Sequence, residues 1–141
     1  MGKFILQDVT VSVNGTDLSD HAFSIDVPAV RDQVDVSGFN STGAKSFLPG
    51  STDETVTIGF RQDFASSKVH QVIQPLYTNT STFSLVIKPT SASISATNPA
   101  FAGTAACFEY NGLSGNLGDA SDISVVFKSA DNTAPLSWRT A

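Results

Sequence analysis

The chain has 141 residues, which suits one domain with one core and is too short for two cores of ordinary size. The net charge is −5 and the eight Lys and Arg residues are scattered, which argues against a protein that grips nucleic acid. Only 15% of the residues are charged, and this low fraction favours an exterior that neighbouring molecules partly cover.

The N-terminal region alternates apolar and polar residues, a pattern that is typical of β-strands with one buried face. A first strand is predicted within residues 4–13, and Asn14-Gly15 then predicts a turn. A second strand begins after Asp20. It is interrupted at Pro28, which indicates an edge strand or a bulge.

A long segment, residues 38–52, is rich in Gly and Ser yet contains Phe39, Phe47 and Leu48. We predict a loop here, and loops of this length without regular structure are uncommon and often functional. A flexible linker has no need of three large apolar side chains. Two interpretations remain open: these side chains pack against their own domain, or they pack against a neighbour.

A strand, helix, strand block follows. The residues at 56, 58 and 60 predict a strand, and those at 83, 85 and 87 predict another. Between them, residues 66–76 predict a helix with one apolar stripe, because the apolar residues recur at spacings of three and four. Asp63, Ser66 and Ser67 are candidate caps for its first turn. The helix is expected to pack on a sheet.

Two further strands are predicted over residues 104–110 and 123–127, and a short C-terminal arm over residues 131–141 carries Trp138 as an anchor. About seven short strands with one helix predict a mainly β domain spanning residues 1–141. The expected architecture is a β-sandwich or barrel with one flanking α-helix.

The sequence offers no convincing catalytic or metal-binding cluster. His21 and His70 have no Cys or carboxylate at ligand spacing, so both are expected to be solvated. Cys107 is the single cysteine and is predicted to be a small core residue. We therefore expect no enzyme, no cofactor and no metal. No secretion signal or membrane span is predicted either.

The order of elements resembles that of the major tail tube proteins of long-tailed bacteriophages. Three segments carry the resemblance: Val-Asn-Gly-Thr-Asp-Leu-Ser-Asp at 13–20, Lys-Pro-Thr-Ser-Ala-Ser-Ile-Ser-Ala-Thr-Asn-Pro at 88–99, and Gly-Asp-Ala-Ser-Asp-Ile-Ser-Val-Val-Phe at 118–127. The first two look similar to tail proteins of phages that infect actinobacteria. The resemblance implies a β-sandwich of the tail-tube type, with a flanking helix, that forms hexameric rings stacked into a hollow tube.

The resemblance also implies where the subunits meet and what they meet. Residues 38–52 match the inter-strand loop of the family, which reaches an adjacent subunit or ring. The candidate interface residues are Phe39, Lys45, Phe47, Leu48 and Pro49, with Lys45 facing an acidic neighbour. The implied partners are copies of the chain and other tail proteins, namely the tape measure, tail tip and terminator. DNA would pass through the lumen without specific binding, in a virion tail whose subunits are made in the host cytoplasm.

Two alternatives remain open from the sequence. The first alternative is a protein of the same β-sandwich fold that decorates a capsid or connects head to tail, which is a different function. A carbohydrate- or receptor-binding β module is the third possibility, with Tyr77, Tyr110 and Trp138 as its candidate ligand-stacking residues. These three functions predict different self-association, so the oligomeric state separates them.

Overall fold

A computed structural model describes residues 3–40 and 42–141. The predicted domain start at Met1 and Gly2, and Ser41 of the predicted loop, lie outside the described residues. Within the described residues the chain forms nine strands and one helix. They are β1 (Thr10–Val13), β2 (Thr16–Asp17), β3 (Ala22–Asp26), β4 (Ala29–Asp35), β5 (Phe47–Arg61), α1 (Val69–Asn79), β6 (Phe83–Lys88), β7 (Ala100–Tyr110), β8 (Asp122–Ser129) and β9 (Ser137–Arg139).

The strands form one antiparallel network in the order β2-β1-β6-β7-β8-β5-β3, to which β4 adds through β5 and β9 through β7. The sheet is curled, because Val11 of β1 and Ile25 of β3, near its two ends, belong to or pack against the same core. The predicted mainly β fold with one helix is therefore confirmed.

The core follows the period-two pattern of the central strands. Alternate residues of β6, β8 and the second half of β5 are buried while their neighbours are more exposed, except that Gly59 of β5 is buried as well. Phe83 and Phe127 meet edge to face, with ring centroids 5.4 Å apart. Cys107 is 8% exposed and belongs to this core, as predicted.

Helix α1 packs its apolar stripe on the sheet, with Val69, Ile73 and Leu76 buried. Its predicted bounds were wrong, since it begins at Val69 and ends at Asn79 rather than spanning residues 66–76. The predicted caps were wrong as well. Lys68 is the N-cap residue, without a side-chain cap, because Ser67 has a positive φ of 61° and the Asp63 carboxylate bonds Ala65 and His21 instead.

The predicted loop over residues 38–52 was wrong in its second half. Residues 47–52 belong to β5, which pairs with β4 in a long hairpin. Pro49 and Gly50 resemble a turn in the sequence, yet a strand at a sheet edge tolerates proline because one side of its backbone needs no partner. A register irregularity lies here, where Gly50 and Ser51 stand opposite Asp32.

The C-terminal segment folds back on the sheet. Strand β9 pairs with the start of β7, Leu136 is buried, and the Trp138 ring meets Phe101 edge-on at a centroid distance of 5.3 Å. Gly103 of β7 makes this docking possible. A Cβ atom on it would lie 2.7 Å from the Cα of Leu136, which is closer than real side chains approach.

Candidate assembly surface

The β4–β5 hairpin leaves the body of the domain. Every residue of β4 is exposed, and the first half of β5 is exposed or half-buried until Val56 enters the core. Phe39 is fully exposed in the connection, residues 36–46, and Lys45 and Pro49 are also exposed. These side chains do not pack on their own core, so the first of the two interpretations of this segment does not hold in the isolated chain.

The hairpin carries apolar side chains on both of its faces. Val34 stands opposite Leu48, and residues directly opposite in an antiparallel pair share a face. Val30 lies on that same face, since it is four positions from Val34 on β4. Phe47 follows the opposite parity and pairs with Asp35 on the other face. The hairpin therefore exposes apolar side chains on both faces, with Val30, Val34 and Leu48 on one and Phe47 on the other.

Local hydrogen bonds hold the hairpin in shape. The Arg31 guanidinium donates to the Gly50 carbonyl at 2.9 Å across the register irregularity. In the connection, the Asn40 amide donates to the Gly38 and Ala44 carbonyls, and its oxygen accepts from the Gly43 N–H at 2.7 Å. These bonds link Asn40 to Gly38, Gly43 and Ala44 within the part of the connection that the structure describes.

Unpaired strand edges flank this surface. Among the described residues, β4 pairs with β5 alone, and β3 also pairs with β5 alone. The outer edges of β3 and β4 therefore have no strand partner among the described residues. Such edges are templates for pairing with another chain.

The two histidines are not solvated, contrary to the prediction. The His21 side chain is 15% exposed, and its ring bonds Asp20 and Asp63. The His70 Nδ1 lies 2.7 Å from the Tyr110 hydroxyl, which also accepts from the Gln62 amide. Each ring links distant segments. Local spacing does not reveal the contacts with Asp63 and Tyr110, because these partners lie 42 and 40 positions away along the chain.

Chemistry-bearing groups do not gather into a reaction centre in the part of the chain that the structure describes. No group of three His, Cys, Asp or Glu residues there is placed to hold a metal ion. Burial raises the pKa of the Cys107 thiol to about 11, which disfavours the nucleophilic thiolate. The candidate ligand-stacking residues of a binding module lie on three different elements: Tyr77 on α1, Tyr110 on β7 and Trp138 on β9. The Tyr110 hydroxyl already accepts a hydrogen bond from Gln62.

The helix of the described residues is too short to cross a membrane.

Comparison with solved structures assigns the architecture. A chain of a gene transfer agent tail, determined with C6 symmetry, superposes with a TM-score of 0.65 at 10% identity, over 83% of this chain and 82% of that one. The SPP1 tail tube gives a TM-score of 0.67 at 15% identity, over 97% and 78%. A sheath-tube complex of an extracellular contractile injection system gives 0.68 at 10% identity, over 99% and 93%. The chain has the tail-tube fold.

No protein-family model and no curated protein matches the sequence. At 10 to 15% identity these structural matches establish the fold and no more. The tail-tube fold carries the β4–β5 hairpin here as an exposed arm. The structural matches do not say what this hairpin contacts. Its exposed apolar residues and the strand edges left unpaired among the described residues bear on that point.

Proposed function

We propose that the chain is a structural virion protein that assembles into hexameric rings, which stack as the hollow tail tube of a phage and conduct DNA. The observation that carries the proposal is the exposed, apolar β4–β5 hairpin on a tail-tube fold. A two-stranded ribbon is marginal in water by itself. Contact with a neighbouring subunit would bury both of its faces and pair its edges.

Ring closure has a physical rationale in the strand edges. Strands β3 and β4 both pair with β5 at one end of the strand network, whereas β2 pairs with β1 at the other end. The two ends of one subunit can therefore each pair with a neighbour without competing for one site. A head-to-tail contact of this type closes into a ring when the rotation between subunits fits. Sixfold closure is supported by the C6 symmetry of the gene transfer agent tail.

The charge of the chain suits a wall along which DNA moves. With a net charge of −5 per subunit, a tube repels the phosphate backbone on average instead of holding it. The proposed role is structural, not catalytic. The other proposed partners are the tape measure, tail tip and terminator proteins of the virion tail, and synthesis takes place in the host cytoplasm.

Sedimentation velocity over a wide concentration range tests the proposal. A species of hexamer mass or stacks of it, growing with concentration, is the expected result. A monomer that binds undecorated capsids would instead favour the decoration role. A monomer that binds a glycan array would favour the receptor-binding module.

A further inference from the structure

His21 lies between two carboxylates just before the edge strand β3. Its Nδ1 is 2.7 Å from Asp20 Oδ1, and its Nε2 is 2.9 Å from Asp63 Oδ2. A neutral imidazole carries a proton on only one nitrogen, so it can donate to only one of two ionised carboxylates. Both contacts are hydrogen bonds at once only in the imidazolium form.

The Asp63 end of this contact is itself held in place. Asp63 lies in the connection between β5 and α1, where its Oδ1 accepts from the Ala65 N–H at 2.9 Å and its carbonyl accepts from the His70 N–H at 3.1 Å. On the other side, the His21 carbonyl accepts from the Arg61 N–H at 2.7 Å. The histidine thus joins the start of β3 to the end of β5 and the first turn of the helix.

The two carboxylates that contact the His21 ring both raise its pKa. The hydrogen bond to Asp63 is the largest cause that raises the pKa of His21, and Asp20 adds to it, while partial burial opposes both. The Arg61 guanidinium is turned away, since it pairs with Asp122 and lies 4.4 Å over the Phe23 ring. The hydrogen bond from the Ala65 N–H is the largest cause that lowers the pKa of Asp63, the hydrogen bond with His21 comes next, and the charge of Lys68 adds a smaller effect.

We propose that His21, Asp20 and Asp63 form a pH-sensitive clasp, which anchors the start of edge strand β3 while the ring is protonated and releases it when the proton leaves. Its consequence for assembly rests on the proposed function. If β3 is the edge that a neighbour pairs with, a loosened start of β3 weakens ring closure. The clasp itself is a property of the single chain.

The sign of the effect follows from the two pKa shifts. The pKa of His21 is raised above 6.5, so its contribution to stability is complete below that pH and is lost as the pH rises through the folded-state value. The pKa of Asp63 is lowered below 3.8, so its contribution is complete above that pH and is lost as the pH falls through the folded-state value. The clasp is strongest between these limits.

Hydrogen exchange of the β3 amides that bond β5 tests the clasp in unassembled protein. We compare wild type with His21→Gln at each pH, so that the intrinsic pH dependence of exchange cancels. Below pH 6.5 the variant should exchange these amides severalfold faster, and the difference should vanish above the folded-state pKa of His21. A difference that is the same at every pH, or no difference, would overturn the proposal. Asp131→Asn, which alters a turn outside the clasp, serves as the control and should leave the β3 amides unchanged.

A second measurement needs no variant. An NMR titration of the wild-type His21 ring should give a midpoint above 6.5, and a midpoint at or below 6.5 would overturn the proposal. Electron microscopy of the same pH series separates the two ideas. Rings that are lost with rising pH in wild type, and that are already as few at low pH in His21→Gln as in wild type at high pH, support the coupling. If rings are absent at every pH, even with a tail-tip complex as initiator, while His21 titrates as expected, the proposed function fails and the clasp stands.

Discussion

Val34 lies directly opposite Leu48 in the β4–β5 hairpin, and the two side chains are 47% and 55% exposed. An apolar cross-strand pair normally contributes to a buried face. Here the pair lies on an arm outside the core, on the same face as the exposed Val30, so its apolar area contributes little to folding. The same area is available to a neighbouring subunit.

The first prediction concerns this arm. Replacing Phe47 and Leu48 together with Ser removes an apolar side chain from each face of the hairpin. We expect the free energy of unfolding of the monomer to change by less than about 0.5 kcal/mol for each exposed site. Assembly should be abolished, because each side chain contributes about 1.5–3 kcal/mol when a contact buries it fully. Thermal unfolding and sedimentation velocity measure the two effects separately.

The matched control is Leu113→Ser with Leu117→Ser, which also removes two exposed apolar side chains, but from the β7–β8 connection. This variant should fold and assemble like wild type. If the Phe47 and Leu48 variant loses its cooperative thermal transition, the hairpin contributes to the core and its assignment as an assembly surface is wrong.

A second prediction concerns the docking of the C-terminal segment. Gly103→Ala places a Cβ atom 2.7 Å from the Cα of Leu136 and against the Pro135 carbonyl, so β9 must move away from β7. We expect destabilisation of about 1–3 kcal/mol, as for overpacking elsewhere. Gly38→Ala is the control, since it meets open space. Urea unfolding of both variants checks this, and equal stabilities would contradict the described packing.

Much of the fold is predictable because alternation reports burial on one face. The strands around Val56, Phe83 and Ile123 and the apolar stripe of α1 all follow from that rule. The same rule fails in the first half of β5, since neither face of the hairpin is buried and no burial pattern forms. Pro49-Gly50 then reads as a turn although it lies within a strand.

The candidate surface was only partly predictable for a similar reason. Phe39, Phe47 and Leu48 were noticeable as large apolar residues in a Gly- and Ser-rich segment, and all three are exposed. The position of Val34 opposite Leu48 is not predictable from local pattern, because register depends on the turn that joins the strands. The contact of His21 with Asp63 spans 42 positions, and local spacing does not report contacts of that range.

A third prediction concerns acid. The Asp17 carboxylate accepts hydrogen bonds from the Ser19 hydroxyl, the larger cause, and from the Ser19 N–H, and both lower the pKa of Asp17 below 3.8. The same Ser19 hydroxyl accepts a hydrogen bond from the Val11 N–H of β1. A lowered folded-state pKa means that this stabilisation is present above 3.8 and is lost as the pH falls through the folded value. Asp17→Asn should therefore flatten the fall of the urea midpoint in acid, and an unchanged slope would count against the role of Asp17.

The fourth prediction concerns Cys107. Since burial raises its pKa to about 11 and leaves it 8% exposed, the native thiol should react slowly with a thiol reagent at neutral pH. As the urea concentration increases, the rate of thiol modification should rise in parallel with the unfolded fraction measured by circular dichroism. Fast reaction in the absence of urea would mean that this part of the core opens without global unfolding.

The central claim is that the exposed hairpin serves self-assembly into a tube, and negative-stain electron microscopy of the purified protein at high concentration tests it most directly. The account predicts rings with sixfold symmetry or hollow tubes of constant width for the wild type, and neither for the Phe47 and Leu48 double variant. Rings or tubes formed equally well by that variant would contradict the assignment of the hairpin. Wild-type protein that stays monomeric at every concentration, even with a tail-tip complex as initiator, would contradict the tube itself.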